Sequence, residues 1–310
     1  MLRAVLIWLS EREGLFRLAR RNGFARRLAR RFVAGETIVD GLDAARALNA
    51  EGISASLDFL GEAVREPAVT RQARDTYLAT LDGIREAGLA CNVSVKLTQM
   101  GLEIDEALCV ANVEAVFARA RGHGNFVRID MEQSDFVAPT LRLFTQRFRP
   151  AFGDTTGVVL QSCLRRTARD VEDMIALGAR VRLVKGAYLE PPDVAFPRKA
   201  DVDANFVTCM ERLLDAGNYP AIATHDEAIV RHGEAYARRR GIAPARYEFQ
   251  MIYGVRRDLQ TRLRREGYNV RVYIPFGDHW YPYFMRRLAE RPANLAFILG
   301  NVVREARRPR

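Results

Sequence analysis

Polar side chains recur at the ends of short, β-branched runs in the middle of this chain. They are Asp58, Lys96, Asp130, Gln161, Arg182 with Lys185, Thr224 with His225, Gln250, and Tyr273. In a barrel of parallel strands, the C-terminal ends of the strands open into the active site. Such ends would bring cations, carboxylates and an imidazole into one pocket. We therefore predict a catalytic or binding site that these residues share.

Lysine is rare in the chain, so its positions carry information. Only three of the 48 basic residues are lysines, namely Lys96, Lys185 and Lys199. Because ammonium and guanidinium groups are not interchangeable, a lysine in an arginine-rich chain indicates a place where a compact cation is needed. Lys96 and Lys185 each end a strand-like run, which favours a role in the shared pocket. Chance survival is the alternative.

A second group of charged residues follows the last strand-like run. Arg286 and Arg287 lie three and four positions after Tyr283, and Glu290 lies four positions after Arg286. On a helix, this spacing places an aromatic ring, two guanidinium groups and an acid on one face. Paired guanidinium groups suit a carboxylate or a phosphate, so the pocket is predicted to accept an anionic group. A surface helix with an ordinary ion pair is the alternative.

Eight β-branched runs alternate with longer segments of helical spacing. The runs begin near Ile53, Asn92, Asn125, Gly157, Arg180, Ala221, Tyr247 and Asn269. The helical segments include Val69–Ala87, Asp105–Arg121, Thr167–Leu177 and Asp203–Ala216. The predicted helix-ending glycines are Gly88, Gly122, Gly178 and Gly217. Eight β-then-α units predict an α/β fold in which parallel strands close into a (βα)8 TIM barrel with apolar strand bodies. A doubly wound sheet would bring a glycine fingerprint after the first strand, whereas Gly122-His123-Gly124 precedes one.

The ends of the chain are strongly basic. Residues 1–36 carry nine arginines against three acids and are predicted to form an N-terminal helical arm, with helices at Leu2–Arg20 and Phe24–Phe32. Residues 37–310 are predicted to form the barrel domain, which begins with a helix at Ile38–Ala50. Solvated helices explain the charge most simply, and contact with an anionic membrane surface is the functional alternative. No nucleic-acid-binding motif accompanies the charge, so no nucleic-acid partner is predicted.

The cysteines and histidines indicate neither disulfides nor metal. The four cysteines, Cys91, Cys109, Cys163 and Cys209, are far apart and form no C-x-x-C pair. They are therefore predicted to be core residues of a protein in a reducing cytoplasm. His225 has no second ligand at helical spacing, so no metal site is predicted. The apolar run at the N-terminus is too short to span a bilayer, and acids interrupt it.

Seven motifs resemble those of the proline dehydrogenase family, in particular its single-function bacterial type. In order, they are Ser94-Val95-Lys96-Leu97-Thr98-Gln99, Arg128-Ile129-Asp130-Met131-Glu132, Val159-Leu160-Gln161-Ser162, Arg182-Leu183-Val184-Lys185-Gly186-Ala187-Tyr188, Ala223-Thr224-His225-Asp226, Phe249-Gln250-Met251-Ile252-Tyr253-Gly254, and Tyr273-Ile274-Pro275-Phe276-Gly277 followed by Tyr283, Arg286 and Arg287. The resemblance extends over nearly the whole chain. It implies a distorted (βα)8 barrel that binds FAD at the C-terminal strand ends and oxidises L-proline to Δ1-pyrroline-5-carboxylate.

The resemblance also implies roles for individual residues. Asp130 and Arg182 would be the catalytic pair, with Arg182 close to the flavin. The proline-binding residues would be Lys96, Tyr273, Tyr283, Arg286, Arg287 and Glu290. The FAD-binding residues would be Met131, Gln161, Arg182, Lys185, Gly186, Ala187, Tyr188, Thr224, His225 and Gln250.

The resemblance further implies that electrons pass to a membrane quinone. Pyrroline-5-carboxylate dehydrogenase is a second expected partner, and the expected location is the cytoplasm, with peripheral contact at the inner face of the cell membrane. The residues alone leave two other functions open. One is a Schiff-base aldolase or lyase on the same barrel, with Lys96 or Lys185 as nucleophile. The other is a basic protein that binds a membrane or nucleic acid through its arginine-rich ends.

Overall fold

The structure of the protein, a computed structural model, describes residues 29–290 and the side chains of residues 29–285. Within these residues, eight parallel strands form a closed barrel in chain order, which confirms the predicted (βα)8 fold. The strands are β1 (Ser54–Phe59), β2 (Cys91–Val95), β3 (Val127–Ile129), β4 (Thr156–Gln161), β5 (Arg180–Val184), β6 (Ala221–Ala223), β7 (Glu248–Ile252) and β8 (Asn269–Phe276).

Helices precede β1 and follow each strand. They are α1 (Ile38–Ala50), α2 (Pro67–Glu86), α3 (Glu106–Gly122), α4 (Ser134–Leu143), α5 (Arg149–Phe152), α6 (Thr167–Ala176), α7 (Lys199–Ala216), α8 (Glu227–Arg239), α9 (Arg257–Arg265) and α10 (Trp280–Glu290). A π-helical turn at Phe144–Phe148 joins α4 to α5, and short 3-10 turns lie at Gly153–Thr155 and Pro244–Arg246. The longer crossover after β3 therefore remains helical throughout.

Local sequence signals fix where these helices begin. Helix α1 has its predicted bounds because Thr37 and Asp40 form a reciprocal capping box at its first turn. Asp105 caps α3 by accepting a hydrogen bond from the Leu108 amide at 2.7 Å. Helix α2 begins with Pro67, a residue whose fixed φ suits the first helical position.

All four predicted glycines lie at helix C-termini, and two of them adopt the left-handed conformation. Gly88 and Gly178 have φ values of 61° and 63° just after α2 and α6, as helix-ending glycines should. Gly122 is instead the last residue of α3, and the left-handed residue is Gly124, because the His123 amide still bonds to the Arg119 and Ala120 carbonyls. Gly217 directly follows α7 as its C-cap, but it is extended, with φ −77°, and the left-handed residue near it is Tyr219.

The apolar core lies between the strands and the surrounding helices. Because successive side chains of a strand point to opposite faces, alternate residues face the helices. Leu57, Val93, Ile129, Leu183 and Val272 do so and are fully buried in one continuous core. The barrel thereby gains most of its apolar burial from its outer surface.

The barrel interior is polar, so the prediction of apolar strand bodies holds only for the strand faces that meet the helices. Ser56, Ser94, Arg128, Arg182 and Glu248 are all buried on the inner face of their strands. The Ser56 and Ser94 hydroxyls lie 3.3 Å apart, and Arg128 donates to the Arg180 carbonyl at 3.2 Å. These contacts across the barrel replace the layers of branched apolar side chains that such barrels usually contain.

The cysteine prediction holds for three of the four residues. Cys91, Cys109 and Cys209 are buried, and burial raises the pKa of Cys91 and Cys109 to about 12, so both remain protonated thiols. Cys163 differs because it is only half-buried and lines the cavity described below. Between residues 29 and 290, we find no helix with the length and apolar composition needed to cross a bilayer.

The chain before α1 is tied to the C-terminal ends of the last strands. The Ala34 amide donates to the Pro275 carbonyl and the Gly277 amide to the Gly35 carbonyl, both at 2.9 Å. Gly254 approaches Arg31 so closely that a Cβ atom there would lie 1.7 Å from the Arg31 carbonyl oxygen. The predicted arm helices fall almost entirely on residues 1–28, which lie outside the described residues.

Candidate active site

A cavity of about 840 Å³ opens at the C-terminal ends of the strands. Most of the predicted site residues line it, namely Lys96, Asp130, Met131, Gln161, Arg182, Lys185, Gly186, Ala187, Tyr188, Thr224, His225, Gln250, Tyr273 and Tyr283. The side chains of Arg286, Arg287 and Glu290 lie outside the described residues, although helix α10, which carries them, is present as predicted. One pocket therefore collects residues from several separate strands.

Asp130 and Arg182 form a buried ion pair. The Arg182 Nη1 donates to Asp130 Oδ1 at 2.8 Å. Its Nε donates to Gln250 Oε1 at 2.6 Å, and its Nη2 donates to Ser94 Oγ at 3.1 Å. Arg182 is the middle residue of β5 rather than its last, so its length is what brings the guanidinium to the cavity. A guanidinium held on three sides offers the cavity a fixed positive charge.

Lys96 connects this ion pair to a second carboxylate. Its Nζ lies 2.7 Å from Asp58 Oδ1 and 3.5 Å from Asp130 Oδ2. The Tyr273 hydroxyl donates to Asp130 Oδ2 at 2.6 Å and lies 3.4 Å from Lys96 Nζ. We call Asp58, Lys96, Asp130, Arg182 and Tyr273 the buried cluster. Its two cations and two carboxylates balance in charge.

The pKa shifts of Lys96 and Tyr273 preserve this charge pattern. Burial disfavours the Lys96 ammonium, but the Asp58 and Asp130 carboxylates outweigh burial and raise the pKa of Lys96 well above its usual value. Burial raises the pKa of Asp58 while Lys96 opposes the shift, and the 2.7 Å contact favours the ionised pair. Burial and then Asp130 raise the pKa of Tyr273 well above 10.0, so it remains a hydrogen-bond donor. A lysine nucleophile needs a lowered pKa, so Lys96 is poorly suited to Schiff-base chemistry.

Lys185 belongs to a second and more exposed group of charges. Its Nζ lies 2.6 Å from Asp203 Oδ1 and 3.0 Å from Asp226 Oδ2. Lys199 contacts the same two carboxylates. Partial burial raises the pKa of Asp203 and Asp226, but hydrogen bonds from the lysines outweigh it and lower both. We call these four residues the rim cluster.

The backbone after β5 enters the cavity at Gly186. This residue has φ 108°, and a Cβ atom there would lie 2.3 Å from Cys163 Sγ and 3.4 Å from Gln161 Oε1. A side chain at this position would therefore be both strained and obstructed. Gln161 is itself held by a hydrogen bond from its Nε2 to the Glu132 carbonyl at 2.8 Å.

His225 is fixed by the neighbouring strand. Its Nε2 accepts a hydrogen bond from the Ile252 amide at 2.9 Å. An imidazole nitrogen that accepts a backbone N–H is unprotonated, which leaves Nδ1 as the position for the proton. His225 therefore serves the cavity as a neutral, oriented ring.

Sequence reasoning did not assign a role to three residues that shape the site. Asp58 lies at a predicted strand end, but its pairing with Lys96 could not be predicted because Lys96 is 38 positions away. Ser94 lies two positions before Lys96, so the strand period of two could have placed it on the same face. Glu132 accepts hydrogen bonds from the Thr98 amide and hydroxyl, and burial raises its pKa to about 7.

Comparison with known proteins decides the family. A family model described as proline dehydrogenase matches residues 41–299. The chain belongs to the proline dehydrogenase family. Proline dehydrogenase from Deinococcus radiodurans is 40% identical over 305 residues, which cover 97% of this chain and 98% of the relative. Proline dehydrogenase 2 of Bacillus subtilis is 39% identical over 303 residues, which cover 98% of this chain and 99% of the relative.

A solved protein structure contains a similar barrel. Proline utilization A from Bdellovibrio bacteriovorus, in a form inactivated by N-propargylglycine, has a TM-score of 0.80 and 26% identity over 85% of this chain. The match covers only 32% of that longer chain, whereas the separate proline dehydrogenases match almost end to end. The resemblance to the single-function type of proline dehydrogenase is thereby confirmed, and the protein is an oxidoreductase of proline catabolism.

Proposed function

We propose that this chain oxidises L-proline to Δ1-pyrroline-5-carboxylate with FAD as its cofactor and a membrane quinone as the electron acceptor. The buried cluster is the observation that carries the proposal. It holds the Lys96 ammonium and the Arg182 guanidinium at fixed places in one cavity, through contacts of 2.7 Å and 2.8 Å to carboxylates. Pyrroline-5-carboxylate dehydrogenase, which would consume the product, is the proposed protein partner.

The cavity suits a large planar cofactor. Its volume of about 840 Å³ lies within the range of about 300–1,000 Å³ that is usual for cofactor sites. Gly186 lines the cavity, and a Cβ atom there would lie 2.3 Å from Cys163 Sγ, so only glycine fits at this point of the cavity wall. The residues that would hold FAD are Met131, Gln161, Arg182, Lys185, Gly186, Ala187, Tyr188, Thr224, His225 and Gln250. FAD, when bound, supplies the acceptor for a hydride.

The protein's own side chains would position proline and stabilise charge. Lys96 would attract the proline carboxylate together with Arg286 and Arg287. Because the buried cluster is balanced in charge, the excess positive charge would come from Arg286 and Arg287, and it would lower the pKa of the proline amine, which must lose a proton for oxidation to proceed. Arg182 would stabilise the negative charge that the hydride acceptor gains. Asp130 would hold Arg182 in place during this change.

The remaining proline contacts would come from the end of the barrel. Tyr273 lies in the buried cluster, and Tyr283 lines the same cavity from α10. Both rings would pack against the proline ring, which has only apolar carbons to offer there. Glu290, one helical turn after Arg286, would hold an arginine of the pair.

An absorbance spectrum taken without air tests the proposed function. The protein reconstituted with FAD should show a flavin band that bleaches on addition of L-proline and returns on addition of a soluble quinone. D-Proline at the same concentration serves as the matched control. N-Propargylglycine should inactivate the enzyme, as the name of the Bdellovibrio structure records for that protein. A flavin band that L-proline leaves unchanged would contradict the proposal.

The same preparation separates this function from the Schiff-base alternative. Borohydride reduction in the presence of a carbonyl substrate of aldolases, such as pyruvate, should leave Lys96, Lys185 and Lys199 unmodified, because the proposed reaction forms no bond between lysine and substrate. Peptide mass mapping is simple since the chain has only these three lysines. A reduced adduct on Lys96 or Lys185 would favour the aldolase instead.

The proposed carboxylate clamp predicts a specific effect of Arg286→Ala. Loss of one guanidinium should weaken proline binding by about 2–3 kcal/mol, the scale of a charged hydrogen bond left unmade. Steady-state kinetics should therefore show a raised KM for proline. Arg265→Ala, which changes an exposed arginine on α9 that does not line the cavity, is the control. An unchanged KM would exclude a clamp role for Arg286.

The basic arm, residues 1–36, is the proposed membrane contact. Its arginines would be attracted to anionic lipid headgroups, close to the quinone. Flotation with vesicles that contain anionic lipid should be stronger for the wild-type protein than for a variant with the arm arginines changed to glutamine. Equal flotation would exclude the arm as the contact.

A further inference from the structure

Glu248 lies inside the barrel, below the proposed site, and the proposed reaction gives it no role. It is the first residue of β7 and is 2% exposed. Its carboxylate accepts hydrogen bonds from Arg271 Nε at 3.0 Å and from the amide nitrogen of Gln250. Gln250 in turn accepts the hydrogen bond from Arg182 Nε. A continuous chain of hydrogen bonds therefore joins Glu248 to the Arg182–Asp130 ion pair.

The donors and acceptors in this chain permit one orientation of the Gln250 amide. A guanidinium only donates hydrogen bonds, and an ionised carboxylate only accepts them. The amide oxygen must therefore face Arg182 and the amide nitrogen must face Glu248. The opposite orientation would place N–H against N–H at one end and oxygen against oxygen at the other. A buried polar group left without its partner in this way is costly.

Glu248 keeps its negative charge because cations surround it. Burial alone would raise its pKa, but Arg271 and then Arg128 outweigh burial and lower it. Arg180, the first residue of β5, is a further cation that interacts with Glu248, and its guanidinium packs on the Phe126 ring at 4.4 Å. The carboxylate of Glu248 is thus an acceptor with no proton of its own to donate at neutral pH.

We infer that Glu248 is a positioning residue, which acts through Gln250 to hold the Arg182 guanidinium against Asp130. The inference rests on the proposed role of Arg182 in proline oxidation. Glu248 does not line the cavity and is linked to a residue that does through the Gln250 amide, so its effect on the reaction is indirect. Loss of its charge would free the Gln250 amide to turn over, and Arg182 would lose one of its three fixed partners.

The substitution Glu248→Gln tests this inference because it keeps the side-chain shape and removes the acceptor-only character. We expect kcat/KM for proline to fall about tenfold, the scale of one hydrogen bond to a charged group. The fall should lie in kcat and leave KM nearly unchanged, since Arg182 would act on charge formed in the transition state. The flavin reduction potential should also become more negative, because a less fixed cation stabilises the reduced form less.

Glu234→Gln is the matched control. Glu234 is another buried carboxylate, and it accepts from Arg262 Nη1 at 2.9 Å on the outer side of the barrel. Both substitutions should lower the thermal midpoint of unfolding, because each removes a charged partner from a partly buried arginine. Only Glu248→Gln should change kcat and the potential. Equal kcat and potential in Glu248→Gln and the wild type would overturn the inference.

A double-mutant cycle with Arg182→Lys shows whether Glu248 acts through Arg182. If it does, adding Glu248→Gln to Arg182→Lys should reduce kcat/KM little further, because the interaction is already lost. Multiplying effects would mean that Glu248 acts independently, and the inference would be wrong. The wild-type protein is measured in parallel. If it does not bleach with L-proline, the proposed function fails; if it bleaches and the cycle multiplies, only this inference fails.

Discussion

The two charge clusters lie at the same end of the barrel but differ in exposure. In the buried cluster, the side chains of Asp58 and Lys96 are 0% and 12% exposed. In the rim cluster, the side chain of Lys185 is 26% exposed and that of Lys199 is 75% exposed. Each cluster joins its cations to two aspartates, so the chemistry of the contacts is similar. The difference between them is the access of water.

Water access decides what each cluster contributes. Charges in the interior interact strongly because little solvent screens them, and removing one partner leaves the other buried and uncompensated. Charges at the rim are screened by water and by salt. The buried cluster should therefore set both stability and chemistry, whereas the rim cluster should contribute little to stability. The same substitution, lysine to methionine, measures this contrast in both places.

Lys96→Met should have the largest effect. Loss of the ammonium leaves Asp58 without its cation in a fully buried position, and breaking such a pair costs about 3–5 kcal/mol. The free energy of unfolding, measured with urea at neutral pH, should fall by this amount. Proline oxidation should also be lost, because the proposed carboxylate clamp loses the Lys96 ammonium.

Asp58→Asn provides the control for the Lys96 substitution. If the cost comes from the uncompensated carboxylate, the double variant Lys96→Met/Asp58→Asn should regain most of the lost stability. A single variant that loses less than about 1 kcal/mol, the scale of a surface pair, would show that the buried cluster behaves like an exposed one. The proposed contrast between the clusters would then be wrong.

The burial of Glu132 should make the stability of the protein depend on pH. Its pKa is about 7 in the folded protein against an ordinary value of 4.5, because burial disfavours the ionised form. The folded protein therefore binds more protons than the unfolded chain between these values. The unfolding free energy should fall as pH rises from about 4.5 to about 7, by about 3 kcal/mol in total. Glu132→Gln should remove this dependence.

Urea unfolding of the wild type and Glu132→Gln across this pH range measures the effect. The variant should gain stability relative to the wild type as the pH rises, since it no longer buries a charge. Glu114→Gln, at a more exposed carboxylate paired with Arg147, is the control and should leave the slope unchanged. Parallel curves for the wild type and Glu132→Gln would contradict the raised pKa.

The barrel could be predicted from the sequence because a short stretch of residues indicates each strand and helix. The eight runs have the spacing of strands, and Thr37 with Asp40 marks the start of α1 within four residues. The polar interior could not be predicted in this way. Arg128 and Glu248 stand near the starts of their strands, where a charged residue usually faces water. Their burial depends on partners from other strands, which the sequence does not bring together.

The candidate site was also predictable only in part. Strand ends and family motifs predict that Lys96, Asp130 and Arg182 share one pocket, and all three line the same cavity. The pairing within the pocket was missed because Asp58 and Lys96, like Gln250 and Arg182, are far apart in the chain. Sequence reasoning thus found which residues meet at the strand ends. The direction of each hydrogen bond required the fold.

Lys199→Met should have the smallest effect. The Lys199 ammonium is mostly exposed, and Lys185 remains to pair with Asp203 and Asp226 after the substitution. The unfolding free energy should change by less than about 1 kcal/mol, and added salt should reduce even that difference because ions screen the rim cluster. Urea unfolding at low and high salt measures both effects. A loss as large as that of Lys96→Met would mean that exposure does not separate the two clusters, and the difference in their roles would need another cause.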